Sequence, residues 1–149
     1  MDYLGNTDLL NLPKTAFLAS SKIPVDLVLR CYDWATQTSQ SEQCVISGFS
    51  SRMEQDILHF LLKAKCPVIM VLARRMYRDL PEKLKEPLTQ GRLLIISVSS
   101  AIRQSKATAF ARNRFICEQA NTIHFIGVTK QSSLYLLKNL FEDKTASSI

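Results

Sequence analysis

Short apolar runs alternate with amphipathic stretches along this chain, and the alternation predicts its elements. The pattern is sharpest between Cys44 and Ala73. Cys44-Val45-Ile46 is a compact apolar run of the kind that forms a strand buried on both faces, and Ser47-Gly48 ends it. From Met53 the apolar positions fall at Met53, Ile57, Leu61 and Ala64, broadened by Leu58 and Phe60, which is helical spacing. Pro67 then opens the next apolar run, which ends at Ala73, at a place in a strand where a missing N–H costs least. Two parallel strands joined by a helix need a crossover of this length, and such crossovers are nearly always right-handed. The turn at Gly48 therefore falls at the carboxyl edge of a sheet, where open α/β sheets bind ligands.

The same reading extends to the rest of the chain. Met1 to Pro13 mixes turn formers with Leu9, Leu10 and Leu12 and reads as an irregular N-terminal arm packed through its leucines. Further strands are predicted at Lys14 to Ser20, Arg92 to Val98 and Thr122 to Val128. Pro24 suits the first position of a helix whose inner face carries Val25, Val28, Leu29, Tyr32 and Ala35, with Thr36 to Gln43 as the return loop. Leu80, Leu84 and Leu88 mark a short helix that Pro87 should end or kink. Ser99 to Thr108 reads as an exposed loop and Phe110 to Ala120 as a helix. Gln131 to Ser133 caps a last helix with Leu134, Leu137 and Phe141 inward, and residues 142–149 read as a flexible tail. Five strand–helix alternations predict an α/β fold: a Rossmann-like three-layer sandwich, its mostly parallel sheet of about five strands carrying helices on both faces. At 149 residues, one domain over 1–149 is expected.

Composition narrows the class. The N-terminus lacks a basic start followed by an apolar core, and no apolar run approaches the ~20 residues of a membrane span, so a cytoplasmic protein without membrane contact is expected. Cys31, Cys44, Cys66 and Cys117 lie in or beside apolar runs and read as buried free thiols. His59 and His124 are far apart and show no ligand spacing, so no metal and no cofactor are expected. Charge is uneven: Lys63 to Arg114 holds 12 of the 19 basic residues but only 3 of the 13 acidic ones. Such a segment can attract phosphates, or can be a set of solvated side chains on several helices.

The loops after the strands gather Ser21-Lys22, the turn Gly48-Phe49-Ser50-Ser51-Arg52, Arg74-Arg75, Arg103 to Arg114, and Ser132-Ser133. Glycine followed by small residues at a helix start lets backbone N–H groups approach a phosphate, although Gly48 can equally serve a tight turn. Arg112 and Arg114 flank Asn113. At a helix start the two arginines can clamp phosphate oxygens while the amide reads a sugar or base; otherwise one of them pairs with Glu118 on an exposed face. Gly-x-Ser-x-Gly, Gly-x-x-x-x-Gly-Lys-Ser/Thr and Gly-x-Gly-x-x-Gly are all absent, which removes the hydrolase elbow, the P-loop and the dinucleotide fingerprint. Glu54 and Asp56 lie two apart on a helix and face no common point. No catalytic residue is assigned.

In order, these motifs resemble the DNA-processing protein A family (DprA, also called Smf), in its Rossmann-like domain only. Ser47-Gly48-Phe49 resembles the family's Ser-Gly-Leu-Ala turn, and Val71-Leu72-Ala73 followed by Tyr77 and Pro81 resembles its Val-Leu-Gly to Tyr-Pro stretch. Gly91 to Ser97 resembles its Gly-x-Leu-x-Ser strand, and Phe110 to Phe115 its Phe-Pro-x-Arg-Asn-Arg segment. Lys22 stands near the place of the arginine in the family's Gly-Ser-Arg. Ser51-Arg52-Met53-Glu54 replaces Arg-Gly-Ile-Asp, Gly127-Val128 stands where a glutamate is expected, and Ser132-Ser133 replaces Ser-Gly. The resemblance implies single-stranded DNA binding in a basic groove, a role in DNA recombination with a recombinase as partner, and a homodimer. Phe49 and Tyr77 are then candidate stacking rings or core residues. The alternative reading is a nucleotide or nucleotide-derived small molecule as ligand; the Pro-Gly-Gly-x-Gly-Thr motif of the Rossmann-like phosphoribohydrolases is absent. A third is a scaffold that self-associates through the last helix.

Overall fold

A computed structural model describes residues 1–146. Six strands form one sheet: β1 (Asp2–Gly5), β2 (Lys14–Ala19), β3 (Cys44–Ser47), β4 (Val68–Leu72), β5 (Leu93–Ser97) and β6 (Thr122–Ile126). The order across the sheet is β1-β5-β4-β3-β2-β6, antiparallel only between β1 and β5. Five helices connect or flank the strands: α1 (Val25–Ser39), α2 (Arg52–Lys63), α3 (Glu82–Thr89), α4 (Lys106–Gln119) and α5 (Tyr135–Leu140). The chain steps outward from β2 to β5 through α1, α2 and α3 on one face, then α4 carries it back across the other face to β6, beside β2. Reversing direction while keeping right-handed crossovers puts the two sets of helices on opposite faces.

The strands β2, β3, β4 and β5 are buried throughout because helices cover both sides, which explains their continuous apolar runs. On one face Phe17, Val45, Met70 and Ile95 meet Trp34, Ile57, Leu61 and Leu84. On the other, Leu18, Ile46, Ile69 and Ile96 meet Ile116, Cys117, Leu134 and Leu137. The α/β fold with helices on both faces is the one the hydrophobic pattern predicts.

Five local expectations change. The N-terminal arm is not irregular: Asp2 to Gly5 pairs antiparallel with Ser97 to Leu94 as a sixth strand, and Thr7–Asn11 forms a 3-10 turn that buries Leu9. The inner face of α1 is rotated, because Trp34 stacks on Phe17 (centroids 4.9 Å apart) and draws Cys31 and Ala35 inward. Val25 and Leu29 are consequently 86% and 73% exposed. Helix α4 starts at Lys106, four residues before the expected Phe110, because Ser105 and Thr108 cap it reciprocally. The tail is structured as far as it is described: Glu142–Lys144 makes a 3-10 turn and the Ala146 N–H donates to the Ile123 carbonyl at 2.9 Å. Residues 147–149 lie outside the described part. Pro87 does not stop α3, which continues to Thr89.

Candidate functional site

A cleft of about 850 Å³ opens over the carboxyl ends of β2, β3 and β6. It lies where the chain changes direction across the sheet, the place at which such folds leave a crevice between diverging loops. Its walls come from the turn after β2 (Ser20, Ser21, Lys22), the turn after β3 (Ser50, Ser51), Gln104 with the first half of α4 (Lys106 to Asn113) and the segment after β6 (Gly127 to Leu134). Ser20 and Ser132 join two of these walls through hydroxyls 2.8 Å apart, and Ser132 Oγ also accepts the Leu134 N–H at 3.2 Å. Gly127 sits at φ 66°, and a Cβ there would meet Cγ2 of Ile23 at 2.7 Å, so only glycine lets this segment pass so close to the β2 turn.

Two buried residues of opposite ordinary charge, Glu54 and Arg112, form the floor. Glu54, on the first turn of α2, accepts the Ala19 N–H at 3.0 Å on one oxygen and those of Ser50 and Ser51 at 2.9 and 3.2 Å on the other. Ser51 Oγ in turn accepts the Glu54 N–H at 3.4 Å, completing a capping box. Burial pushes the Glu54 carboxyl up, while the three N–H groups and Arg112 pull it down. Arg112 is only 3% exposed. It donates to the Val71 carbonyl at 3.2 Å and to Asn113 Oδ1 at 2.7 Å, and burial lowers its pKa against the opposing influence of Glu54. Its guanidinium lies where a Cβ on Gly48 would fall, so any other residue there would force the buried guanidinium to move.

Eight of the twelve residues expected to form the site share this cleft: Ser21, Lys22, Ser50, Ser51, Arg112, Asn113, Ser132 and Ser133. Lys22 and Ser133 are exposed, whereas Arg112 is committed to the floor. Four residues lie elsewhere. Gly48 packs beneath the Arg112 guanidinium. Phe49 is 6% exposed inside the α1–α2 core, so its ring offers no face to a base. Arg52 lines a smaller groove beside the turn after β2 and pairs with Asp56 at 3.5 Å. Arg114 is exposed and lines neither. The expected double clamp by Arg112 and Arg114 does not form, because both lie in the middle of α4, two residues apart, and point in different directions. Neither arginine pairs with Glu118 among the described residues.

The expected phosphate cradle at the start of α2 is also largely filled. The N–H groups of Ser50 and Ser51 go to Glu54, that of Glu54 to Ser51, and that of Phe49 to Ser47 Oγ at 3.1 Å. Sequence reasoning set Glu54 aside as half of an unproductive acidic pair; Ser51-x-x-Glu54 was the signal that it caps its own helix. Lys106, the second exposed cation of the cleft, lies in the Arg103 to Arg114 stretch but is not among the twelve expected residues.

All four cysteines are buried and unbridged, and burial pushes Cys31 to about 11 and Cys44 and Cys117 to about 12, so these three remain thiols at neutral pH. Among the described residues, no three His, Cys, Asp or Glu side chains gather to hold a metal ion, and no helix is long and apolar enough to cross a membrane.

Comparison with known proteins places the fold. No family model matches the chain, and no curated protein matches its sequence. Among solved structures it is similar to DNA processing protein A (DprA) from Streptococcus pneumoniae, with a TM-score of 0.76 at 19% identity over 95% of this chain and 51% of that one. It is similar also to DprA from Helicobacter pylori, solved for its single-stranded DNA binding mode, with a TM-score of 0.74 at 18% identity over 96% and 68%. The molybdenum cofactor binding protein of Rippkaea orientalis has a TM-score of 0.57 at 12% identity over 92% and 90%. The chain thus spans about half the length of the pneumococcal protein and has the fold of a DprA-like Rossmann domain.

Proposed function

We propose that the cleft binds single-stranded DNA through its sugar-phosphate backbone, and that the protein is a DprA-like binding domain that performs no catalysis. The observation that carries this reading is the chemistry of the lining. Seven hydroxyl side chains and the two exposed lysines, Lys22 and Lys106, surround a floor whose single carboxylate is already closed by three N–H groups. Hydroxyls and ammonium groups suit phosphate and sugar oxygens, and no exposed acid repels them. No aromatic ring lines the cleft, so contact falls on the backbone and tolerates base sequence. The fold shared with the DprA of Helicobacter pylori, whose structure was described for single-stranded DNA binding, supports the same ligand class.

Fluorescence anisotropy of a labelled single-stranded oligonucleotide across a salt series, beside the matching duplex, tests the reading. Binding that prefers the single strand, weakens steeply with salt and is reduced by Lys22→Ala supports it. Absence of binding at low salt overturns it. The cleft volume lies within the range of small-ligand sites, which favours a nucleotide or nucleotide-derived ligand as the second reading. The fold likeness to a molybdenum cofactor binding protein over nearly its whole length agrees with that option. Thermal stabilisation by nucleotides but not by DNA would select it.

A further inference from the structure

Beside the cleft, the loops after β4 and β5 hold a second basic group that the cleft does not use. Arg74 and Arg75 follow Ala73 directly, Arg78 comes three residues later, and Arg103 lies on the loop after β5. The two loops are stitched together. The Arg75 N–H donates to the Ala101 carbonyl at 2.7 Å, and the Ser97 hydroxyl lies between the carbonyls of Arg74 and Ser99 at 2.6 and 2.9 Å. Arg74 is held over the Tyr77 ring, 5.4 Å from its centroid, with Nε donating to the Arg75 carbonyl at 3.1 Å. That geometry spends one N–H of its guanidinium and orients the rest.

The group lacks internal compensation. Arg75 Nε is shut off from solvent and has no hydrogen-bond partner among the described residues, a costly state for part of a charged group. Arg78 and Arg103 are exposed. The acids near these loops are Asp79 and Glu82; Glu82 pairs with Lys85 at 2.9 Å. The ion pairs among the described residues are that one and Arg52–Asp56, so no carboxylate pairs with these arginines.

The same loop joins the group to the cleft. Gln104, next to Arg103, lines the cleft and donates from Nε2 to Ser50 Oγ at 3.1 Å. With neighbouring strands about 4.8 Å apart, the ends of β2 and β5 are separated by roughly 14 Å, several times the ~3.4 Å rise per nucleotide of a stacked strand. We propose that Arg74, Arg75 and Arg103 form a second phosphate-binding subsite that extends the cleft into a track along the carboxyl edge. The ligand is then a single strand several nucleotides long rather than a mononucleotide. This inference rests on the reading of the cleft as a DNA site.

The test titrates a thymidine mononucleotide and labelled oligothymidylates of increasing length against the intact protein and the variants Lys22→Ala, Arg75→Ala and Arg103→Ala, at several salt concentrations. Affinity should climb with length. Arg75→Ala and Arg103→Ala should each weaken binding of the longer strands by about tenfold, leave the shortest unchanged, and flatten the salt slope by about 0.7 for each lost phosphate contact. Arg75 is partly buried, so the exposed Arg103 carries the test independently, with circular dichroism confirming that each variant is folded. If long strands bind in a Lys22-dependent way but ignore both arginine changes, the second subsite is overturned and the cleft reading stands. If long strands bind no more tightly than the mononucleotide, the track is overturned. If no oligonucleotide binds the intact protein, both readings fall together.

Discussion

The turns after β2 and β3 lie side by side at one sheet edge and use their polar groups in opposite ways. After β3, the amides of Phe49, Ser50 and Ser51 and that of Glu54 are all bonded within the turn. After β2, Ser20 reaches Ser132, but Ser21 and Lys22 are exposed and hold no side-chain partner among the described residues. The glycine-serine turn that stands out in the sequence is therefore the structural one, and the plainer Ser21-Lys22 turn is the one free to meet a ligand. The two are coupled. The Glu54 oxygen that takes the Ala19 N–H anchors the root of the open turn to the cap of the closed one. A self-satisfied turn gives the unsatisfied one a fixed position, which lowers the cost of ordering it on binding.

The comparison breaks most severely at Glu54. Glu54→Ala strands the N–H groups of Ala19, Ser50 and Ser51 and removes the carboxyl that favours the buried Arg112 charge, so we expect a loss of about 3 kcal/mol or more in urea denaturation, together with weaker ligand binding. A variant of unchanged stability would show that the cap is dispensable. Gly48→Ala comes next. The added methyl collides with the Arg112 guanidinium, and overpacking of this kind costs about 1–3 kcal/mol. Adding Arg112→Ala to Gly48→Ala should cost less than the two single losses summed, because the collision disappears with the guanidinium.

The closed turn was half legible in the sequence. Gly48 at the sheet's carboxyl edge, the helix from Met53 and the buried strands on either side follow from apolar spacing alone. That Glu54 would fold back on its own amides needed the Ser51-x-x-Glu54 signal to be weighed beside the spacing of Glu54 and Asp56. The fate of Arg112 was not legible, because neither spacing nor composition says whether a mid-helix arginine turns inward under a glycine. Asp2 to Gly5 is short, half polar and contains a glycine, so its pairing with β5 depends on a partner about 90 residues away rather than on its own pattern. The rotated face of α1 has the same cause: the Trp34–Phe17 stack is tertiary, and it overrides the stripe through Val25 and Leu29.

On the open turn, smaller effects sharpen the contrast. Lys22→Ala and Lys106→Ala touch exposed side chains, so stability should stay within about 0.5 kcal/mol while single-strand affinity falls severalfold. Arg114→Ala should change neither quantity, since its exposed side chain lines no part of the cleft. A loss of affinity there equal to that of Lys22→Ala, measured by the same anisotropy titration, would move the binding surface onto the outer face of α4.

Acid should separate the strands beneath the two turns by the smallest margin. His124 on β6 pairs in register with Phe17 of β2, its ring 5.1 Å from Trp34, and its Nδ1 is buried without a partner among the described residues. Burial lowers its pKa below the ordinary 6.5, so well above that pH it is neutral in both the folded and unfolded chain and contributes no pH dependence. As the pH falls below 6.5, the unfolded chain takes up a proton that the folded one resists, and stability declines until the folded pKa is passed. Glu54 runs the other way. Its carboxyl is raised above 4.5, so its linkage favours the fold at low pH and weakens as the pH rises through the folded value. Because Glu54 is common to both proteins, urea midpoints measured from about pH 7.5 down to about 5.5 should fall in the parent protein relative to His124→Phe, which keeps an aromatic ring against Trp34 without a titrating nitrogen. An equal decline in both would shift the acid sensitivity away from the β2–β6 pair and leave the open turn's support independent of pH.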